Sequence, residues 1–512
     1  MYCSVKTATL SGIDSIMVTC ESDVSNGLPN FSIVGLLSTE VKESRERVRT
    51  AVKNSKIKFP ASRITVNISP ASIRKSGTGF DLPIAASILG AMGQIPLKKL
   101  ESILMIGEMN LTGEILPIKG VLSASIICKE NSIEYLMVPK ENQNEATLIE
   151  DVKVIPVGSL REMIDILRSD FELEHFVVYD AEKSIPEKII YENNFKDLKG
   201  HHSLRRSLEI AVSGMHNLLM IGPPGAGKTM AASMVPSILP PMTKEEMIEV
   251  SKVYSAAGLL VNQTSLINKR PFRAPHHTIS NFGLVGGGQN PVPGEITLAS
   301  SGVLFLDELF EFRKEALELL RQPLENHKIN ISRQKNQVEF PADFMLIAAT
   351  NPCPCGYYPN LKLCHCKESD IKRYLSHLSG PLMDRIDLMV SIHPLTIEEM
   401  TSDQKYESSE EIQARVLKAL EKQKTRFKGT KIHFNSRIPS SEIKKYCSIS
   451  EELEEYIKSH LSGQTISVRS YQKLLKISRT IADLDDSFNI EKKHLDEALN
   501  LITKGEIWQN MY

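Results

Sequence analysis

One tryptophan in 512 residues, 6% aromatic side chains and a formal charge of −1 leave this chain short of several common signals. The near-balance of 61 basic against 62 acidic side chains gives no overall field to draw in a polyanion, so any nucleic-acid contact must come from local patches. No apolar run is long enough to cross a bilayer, and the N-terminus reaches Glu21 without the apolar stretch of a secretory signal. Cysteine is scarce too. Of eight, Cys3, Cys20, Cys128 and Cys447 stand apart, which excludes a dense disulfide framework and predicts a reducing, cytoplasmic setting. What is present is 41% hydrophobic and 24% charged, ordinary for a globular chain, and the length suits about three domains.

One stretch organises the rest: Gly222-Pro223-Pro224-Gly225-Ala226-Gly227-Lys228-Thr229. It follows Asn217-Leu218-Leu219-Met220-Ile221, bulky enough for a buried strand, and precedes Met230 to Val235, which suits the first turns of a helix. Strand, glycine loop and helix is the context in which backbone N–H groups and a helix N-terminus cradle phosphates. Lys228 is expected to reach the β- and γ-phosphates of ATP, with the Thr229 hydroxyl on Mg2+. Val303-Leu304-Phe305-Leu306-Asp307-Glu308 reads as a buried parallel strand ending in two carboxylates. Asp307 would orient magnesium and Glu308 would polarise the attacking water, which extends binding to hydrolysis. Phe344 to Asn351 is a further apolar strand, whose Asn351 amide can hydrogen-bond both the water and the γ-phosphate; an Asn-Pro turn is the alternative.

Residues 1–168 alternate short strands and helices. Phe31 to Gly35 reads as strand and turn, Glu40 to Ser55 as an amphipathic helix, Ile64 to Ile68 as an alternating strand and Asp81 to Leu89 as a helix. Leu111-Thr112-Gly113-Glu114-Ile115-Leu116-Pro117-Ile118-Lys119-Gly120 resembles the proteolytic domain of Lon proteases, which uses a serine and a lysine. Matching the segments places Gly79 at the serine and Leu122 at the lysine, and neither can do that chemistry. Thr78 and Lys119 lie nearby as a displaced pair. The resemblance therefore implies a binding or assembly platform. Residues 169–195, polar and containing Pro186 and Asn193-Asn194, are expected to be a linker.

In order along the chain, the glycine loop, the Asp-Glu strand and the asparagine strand resemble the Walker A, Walker B and sensor-1 elements of an AAA+ ATPase. Arg270-Pro271-Phe272-Arg273-Ala274-Pro275-His276-His277, Asn290-Pro291-Val292-Pro293-Gly294-Glu295-Ile296 and Leu320-Arg321-Gln322-Pro323-Leu324-Glu325 narrow the resemblance. So do Asn351-Pro352-Cys353-Pro354-Cys355-Gly356 and Glu43-Ser44-Arg45-Glu46-Arg47-Val48-Arg49. Together they resemble the ComM/YifB family of the magnesium-chelatase-like AAA+ group, over essentially the whole chain. Gly200-His201 departs from the usual Gly-Gln, which touches the adenine side alone.

The resemblance implies an α/β protein in three parts: a Lon-protease-like α+β domain at 1–168, an AAA+ parallel α/β core at 196–395 and a C-terminal helical lid at 396–512. It also implies a homo-hexameric ring in which Arg385 acts as an arginine finger on a neighbour's ATP. The other reading of Arg385 is an ion pair with Asp384 or Asp387. In the lid, Glu410 to Lys424 and Glu451 to Leu461 read as helices, and Val468 leads into another. Arg469 is expected to be the sensor-2 arginine, and Arg479 to make a surface pair.

Cys353-Pro354-Cys355 and Cys364-His365-Cys366 gather four thiols into one loop. That set suits tetrahedral Zn2+, with His365 as an alternative ligand and reduced loop cysteines as the other reading. Lys362, Lys367, Lys372 and Arg373 around it are expected to make a basic knuckle against DNA. Tyr254 to Glu295 carries Lys269, Arg270, Arg273, His276 and His277, either to grip phosphates in a pore or as a solvated loop. Three functions compete. A DNA motor for branch migration is implied by the resemblance; a chelatase-type motor, inserting magnesium into a porphyrin or remodelling a protein, shares the core; an ATP-dependent protease is opposed by the missing serine and lysine.

Overall fold

The computed structural model describes every residue except 180–188, 190, 261–264, 289, 334–335, 402–403, 461–466 and 511–512. Pro186 of the expected linker and Leu461 at the end of an expected helix lie outside the described residues.

Alternation of apolar and polar residues builds the N-terminal sheet. In Arg63–Ser69 the buried side chains are Ile64, Val66 and Ile68, every second residue, as a pleated strand requires. The sheet has seven strands, in the order Asn30–Val34, Arg63–Ser69, Asp14–Ser25, Tyr2–Ser11, Ile103–Met105, Tyr135–Pro139, Lys153–Val157. Its apolar face meets helices Thr39–Asn54 and Asp81–Ala91. Arg47 locks those helices together: its Nε and Nη2 donate to the two oxygens of buried Asp81 at 2.8 and 3.0 Å, and Met109 N donates to the same carboxylate at 3.0 Å. The stretch expected to begin the linker packs onto this sheet instead. Leu173 is buried in its core, where its apolar side chain has a face to cover, and Val178 N donates to Val154 O at 2.9 Å.

The second sheet is parallel throughout, in the order Phe272–Arg273, Val303–Leu306, Met345–Thr350, Leu218–Ile221, Leu388–Ser391. Its central strands are almost wholly apolar because both faces are covered. Leu218, Met220, Phe305 and Ile347 point to one side and Leu219, Ile221, Leu304 and Leu346 to the other. Helix His202–Gly214 and the C-terminal helices share a core with the first side. Those helices are Ser409–Arg426, Glu451–His460, Val468–Leu484 and Lys492–Asn510. No helix among the described residues is long and apolar enough to cross a membrane.

Arg479 is not on the surface. The second half of Val468–Leu484 is buried, so a guanidinium there has to be paired rather than solvated. It donates to the carbonyls of Phe488 and Ser487 at 2.8 Å and meets Asp483 at 3.0 Å.

The two sheets are joined at a polar and apolar seam. Gly120 N donates to Ser255 O at 3.1 Å. The buried Glu145 carboxylate accepts from Leu122 N at 3.1 Å, from Asn142 Nδ2 at 3.0 Å and from the Ser255 hydroxyl. Beside it Leu122 and Ile149 pack on Leu260. A second contact lies further along, where Asn290 Nδ2 donates to Glu40 Oε1 at 3.2 Å.

Candidate nucleotide site and thiol cluster

Parallel register brings three strand ends to one edge. Ile221 is paired with Thr350 and Leu306 with Ala348, so Gly222, Asn351 and Asp307 leave the sheet side by side. Gly222 N donates to Thr350 O at 3.2 Å. Gly225 and Gly227, with φ of +75° and +80°, turn the loop through the left-handed region that glycine tolerates and deliver it to helix Lys228–Met234.

Lys228 is 8% exposed and bends back over the loop. Its Nζ donates to Gly222 O at 2.6 Å, Pro223 O at 2.9 Å and Asn351 Oδ1 at 3.1 Å. Burial lowers its pKa, against the opposing pull of Asp307 and Glu308. Thr229 Oγ1 donates to Asp307 Oδ2 at 2.6 Å, and Glu308 N donates to Asp307 Oδ1 at 2.9 Å, so both Asp307 oxygens are held. Glu308 has φ of +52°, a left-handed conformation that costs a non-glycine residue about 1–2 kcal/mol. Its Oε2 stands 3.2 Å from His277 Nδ1. Lys228, Thr229, Asp307, Glu308 and Asn351 are thus brought together. The departure at His201 also faces this loop: a methyl added at Gly227 would lie 3.8 Å from His201 Nε2, and burial lowers the pKa of that imidazole.

Arg385 and Arg469 meet elsewhere, on Glu325. Arg385 donates from Nε to Arg321 O at 3.0 Å and from Nη1 to Pro381 O at 2.5 Å, and its Nη2 pairs with Glu325 Oε2. Arg469 Nη2 takes the other oxygen, Oε1, at 3.0 Å. Asp387 is not the partner of Arg385; it accepts from Asn217 N at 2.9 Å. Glu325 closes the Leu320–Glu325 motif, and nothing in the sequence pointed to its sharing between two arginines.

Two of the cations before the Asp-Glu strand are paired with acids. Arg270 is buried and donates to both oxygens of Glu246, at 3.0 and 2.9 Å. Arg273 does the same with Glu295, at 2.6 and 2.7 Å. Lys269 lies over the Tyr191 ring at 5.0 Å. His277 is set edge-on to Phe312 with ring centroids 6.4 Å apart, facing Glu308. Acids from neighbouring helices neutralise the arginines, which the local sequence could not reveal.

The N-terminal cleft has no hydrolytic pair. Gly77, Thr78, Gly79 and Lys119 line a cleft of about 610 Å³ at the seam, and no hydrogen bond joins Thr78 to Lys119. Gly79 has no side chain to offer, and Leu122 is wholly buried.

The four thiols lie together after Asn351. Cys353 Sγ is 3.4 Å from Cys355 Sγ and 3.7 Å from Cys364 Sγ, Cys355 and Cys364 are 3.5 Å apart, and all four sulfurs including that of Cys366 lie within 4.8 Å of one another. A disulfide needs about 2.05 Å. Four sulfurs each about 2.3 Å from a tetrahedral ion stand about 3.8 Å apart, close to what is seen. Burial alone would raise the Cys355 thiol, but backbone N–H groups of Tyr357 and His365 lower it, while burial pushes Cys364 and Cys366 up. Lys372 pairs with Glu368 at 2.9 Å and Arg373 with Asp370 at 3.3 Å, so the adjoining helix adds little of the expected positive charge.

Comparison with known families covers nearly the whole chain. The model described as "Magnesium chelatase, subunit ChlI" matches residues 194–400, "Subunit ChlI of Mg-chelatase" matches 20–142, and "Magnesium chelatase, subunit ChlI C-terminal" matches 406–501. Competence protein ComM of Haemophilus influenzae is 41% identical over 95% of both chains. YifB of Salmonella typhimurium is 39% identical over 97% of this chain and 96% of its own. The Lon protease of Mycoplasma mycoides is 26% identical over 29% of this chain and 20% of its own. The chain therefore belongs to the ComM/YifB family of magnesium-chelatase-like AAA+ ATPases, with partial similarity to Lon protease in its N-terminal part.

Proposed function

We propose that this chain hydrolyses ATP with Mg2+ in a homo-hexameric ring and uses the cycle to move on DNA in the cytoplasm, as a branch-migration helicase on recombination intermediates. The observation that carries the ATPase reading is the meeting of Lys228, Thr229, Asp307, Glu308 and Asn351 at one edge of a parallel sheet. Bound MgATP supplies the labile phosphoanhydride and the metal charge that offsets the negative charge developing on it. Lys228 exchanges the carbonyls of Gly222 and Pro223 for phosphate oxygens. The Thr229 hydroxyl and the Asp307 carboxylate hold magnesium, Glu308 orients water and takes its proton, and the Asn351 amide fixes the water and the γ-phosphate. Arg385 completes the site of a neighbouring copy, and Arg469 senses the γ-phosphate from the first turn of its helix. In this reading residues 1–168, with 173–178 packed on them, are a platform, the remainder of 169–195 a connector, 196–395 the motor and 396–512 a lid. The four thiolates hold a structural Zn2+, for which their separations fit.

DNA as the load rests on the full-length similarity to a protein named for competence. ATP hydrolysis is measured with single-stranded, duplex and four-way DNA, together with strand exchange on the four-way substrate. Stimulation by branched or single-stranded DNA is the expected result. If no DNA form is bound or stimulates turnover even at low salt, where phosphate contacts are strongest, the motor reading falls. The three chelatase matches then favour the second reading, magnesium insertion into a porphyrin, tested by that insertion in the presence of ATP.

A further inference from the structure

The thiol cluster is built into the wall of the nucleotide site. Asn351, which accepts from Lys228, is followed at once by Pro352 and Cys353, both buried. The chain then turns, with Gly356 N donating to Cys353 O at 2.9 Å, and lays Gly356 on the phosphate loop. Gly356 has φ of +87°, and a methyl placed there would stand 2.5 Å from Pro224 Cδ and 2.9 Å from Pro224 Cγ. The only side chain that fits between knuckle and loop is a hydrogen.

On its far side the cluster rests on helix Glu368–Leu375. Cys353 and Cys364 pack with Ile371, and Leu375 covers them. Tyr374 of the same helix places its hydroxyl 3.5 Å from Thr350 Oγ1, one residue before Asn351. This apolar support is small for a loop that must press on Pro224. Across residues 353–366 the sulfurs also approach, Cys353 and Cys355 from one end of the loop and Cys364 and Cys366 from the other, beside the bonds from Tyr358 N to Cys353 Sγ at 3.4 Å and from Cys364 N to Asn360 O at 2.8 Å. Sulfurs at such separations match the edges of a tetrahedron around one ion, and ligation then supplies free energy that orders the surrounding chain.

We propose that the four-cysteine site is a metal-dependent clamp on the phosphate loop. A thiophilic divalent cation of the zinc class, bound by Cys353, Cys355, Cys364 and Cys366, holds Gly356 against Pro224 and keeps Asn351 in reach of Lys228. ATP affinity and turnover then depend on occupancy of a site that touches neither substrate nor magnesium. The clamp rests on the reading that the thiols bind metal and that Gly222–Thr229 binds ATP.

The test uses the full chain purified without chelator. Its zinc content is measured, zinc is stripped with a thiol-reactive mercurial and a zinc-selective chelator under excess Mg2+, and zinc chloride is returned after reducing thiol has removed the mercurial. Affinity for a fluorescent ATP analogue and hydrolysis are followed at each stage. Stripping should weaken nucleotide binding by about tenfold or more, the scale of one lost hydrogen bond to a charged group, and zinc should restore it. Gly356→Ala should retain zinc and show the same nucleotide defect, which separates clamping from loss of fold. Zinc bound at one per chain, with stripped protein and Gly356→Ala both binding and hydrolysing ATP as wild type, would overturn the clamp while leaving the metal site standing. No zinc bound even after zinc chloride is added would overturn both. Zinc-loaded protein with no affinity for the analogue would instead remove the ATP reading, and the clamp with it.

Discussion

The imidazole of His277 faces the carboxylate of Glu308, Nδ1 to Oε2, at 3.2 Å. Glu308 itself sits in a left-handed backbone conformation, so the carboxylate is presented from a strained turn and met by a ring braced on buried Phe312. Glu308→Gln should keep ATP binding and lower hydrolysis about a hundredfold or more, the usual contribution of a positioned base. His277→Ala should lower kcat by about tenfold with unchanged nucleotide affinity, since it removes the aim of the base and not the base. Steady-state hydrolysis and an equilibrium nucleotide titration check both; wild-type kcat in His277→Ala would show that Glu308 needs no such partner.

Arg385 has every side of its guanidinium occupied by its own chain, two carbonyls and Glu325. A fixed cation acting across a subunit boundary contributes about 10³–10⁵ in rate to phosphoryl transfer. Arg385→Ala should therefore lose turnover by about 10³-fold or more and still bind ATP. Mixing excess Arg385→Ala with wild-type chains should poison wild-type activity, as the ring reading requires. Independent, additive activities in the mixture would count against a shared site.

Arg47 and Asp81 carry much of the N-terminal packing. Asp81 is wholly buried, and removing its partner leaves a charge without compensation. Arg47→Met should destabilise the N-terminal region by about 3–5 kcal/mol. Adding Asp81→Leu should return part of that loss, because the unpaired charge goes with it. Thermal melts of the two variants read the difference, and a single variant melting like wild type would refute the pairing's weight.

Asp387 gives the acid limb of stability. Burial pushes its carboxyl up, but the His216 imidazole, with Nδ1 3.8 Å away, the charge of Lys473 and the Asn217 N–H outweigh that and bring it from 3.8 down to about 2. Because the folded value lies below the unfolded one, the ionised group stabilises the fold above about pH 4. That contribution, about 2 kcal/mol, is lost as pH falls toward 2. Asp387→Asn should lower stability at neutral pH and flatten the loss between pH 4 and pH 2, measured by unfolding at a series of pH values.

The features legible in the sequence were those fixed by nearby residues. The runs 218–221, 303–306 and 345–349 are apolar at every position, so buried parallel strands were the only economical reading, and the residues at their ends had to converge. Gly225 and Gly227 likewise stand where the backbone demands them. What stayed hidden depends on partners far along the chain. Arg270 and Arg273 looked free until Glu246 and Glu295 were placed against them, and Arg479 looked exposed until its helix was packed. The sharing of Glu325 by Arg385 and Arg469, and the seat of Gly356 on Pro224, have no periodicity or spacing to announce them.

The N-terminal region is bonded to the ATPase module at several places, among them Glu145 to Ser255 and Asp14 to Lys252, both on helix Lys244–Ala257, and Glu40 to Asn290 after the His277 turn. A seven-stranded body tied at these points is placed to act as a splint. The helix and the segment that leads from His277 to the Asp307 strand can shift in concert, but they cannot part without breaking a contact to the splint. A domain that resembles a protease would, on this account, serve the motor by bracing it.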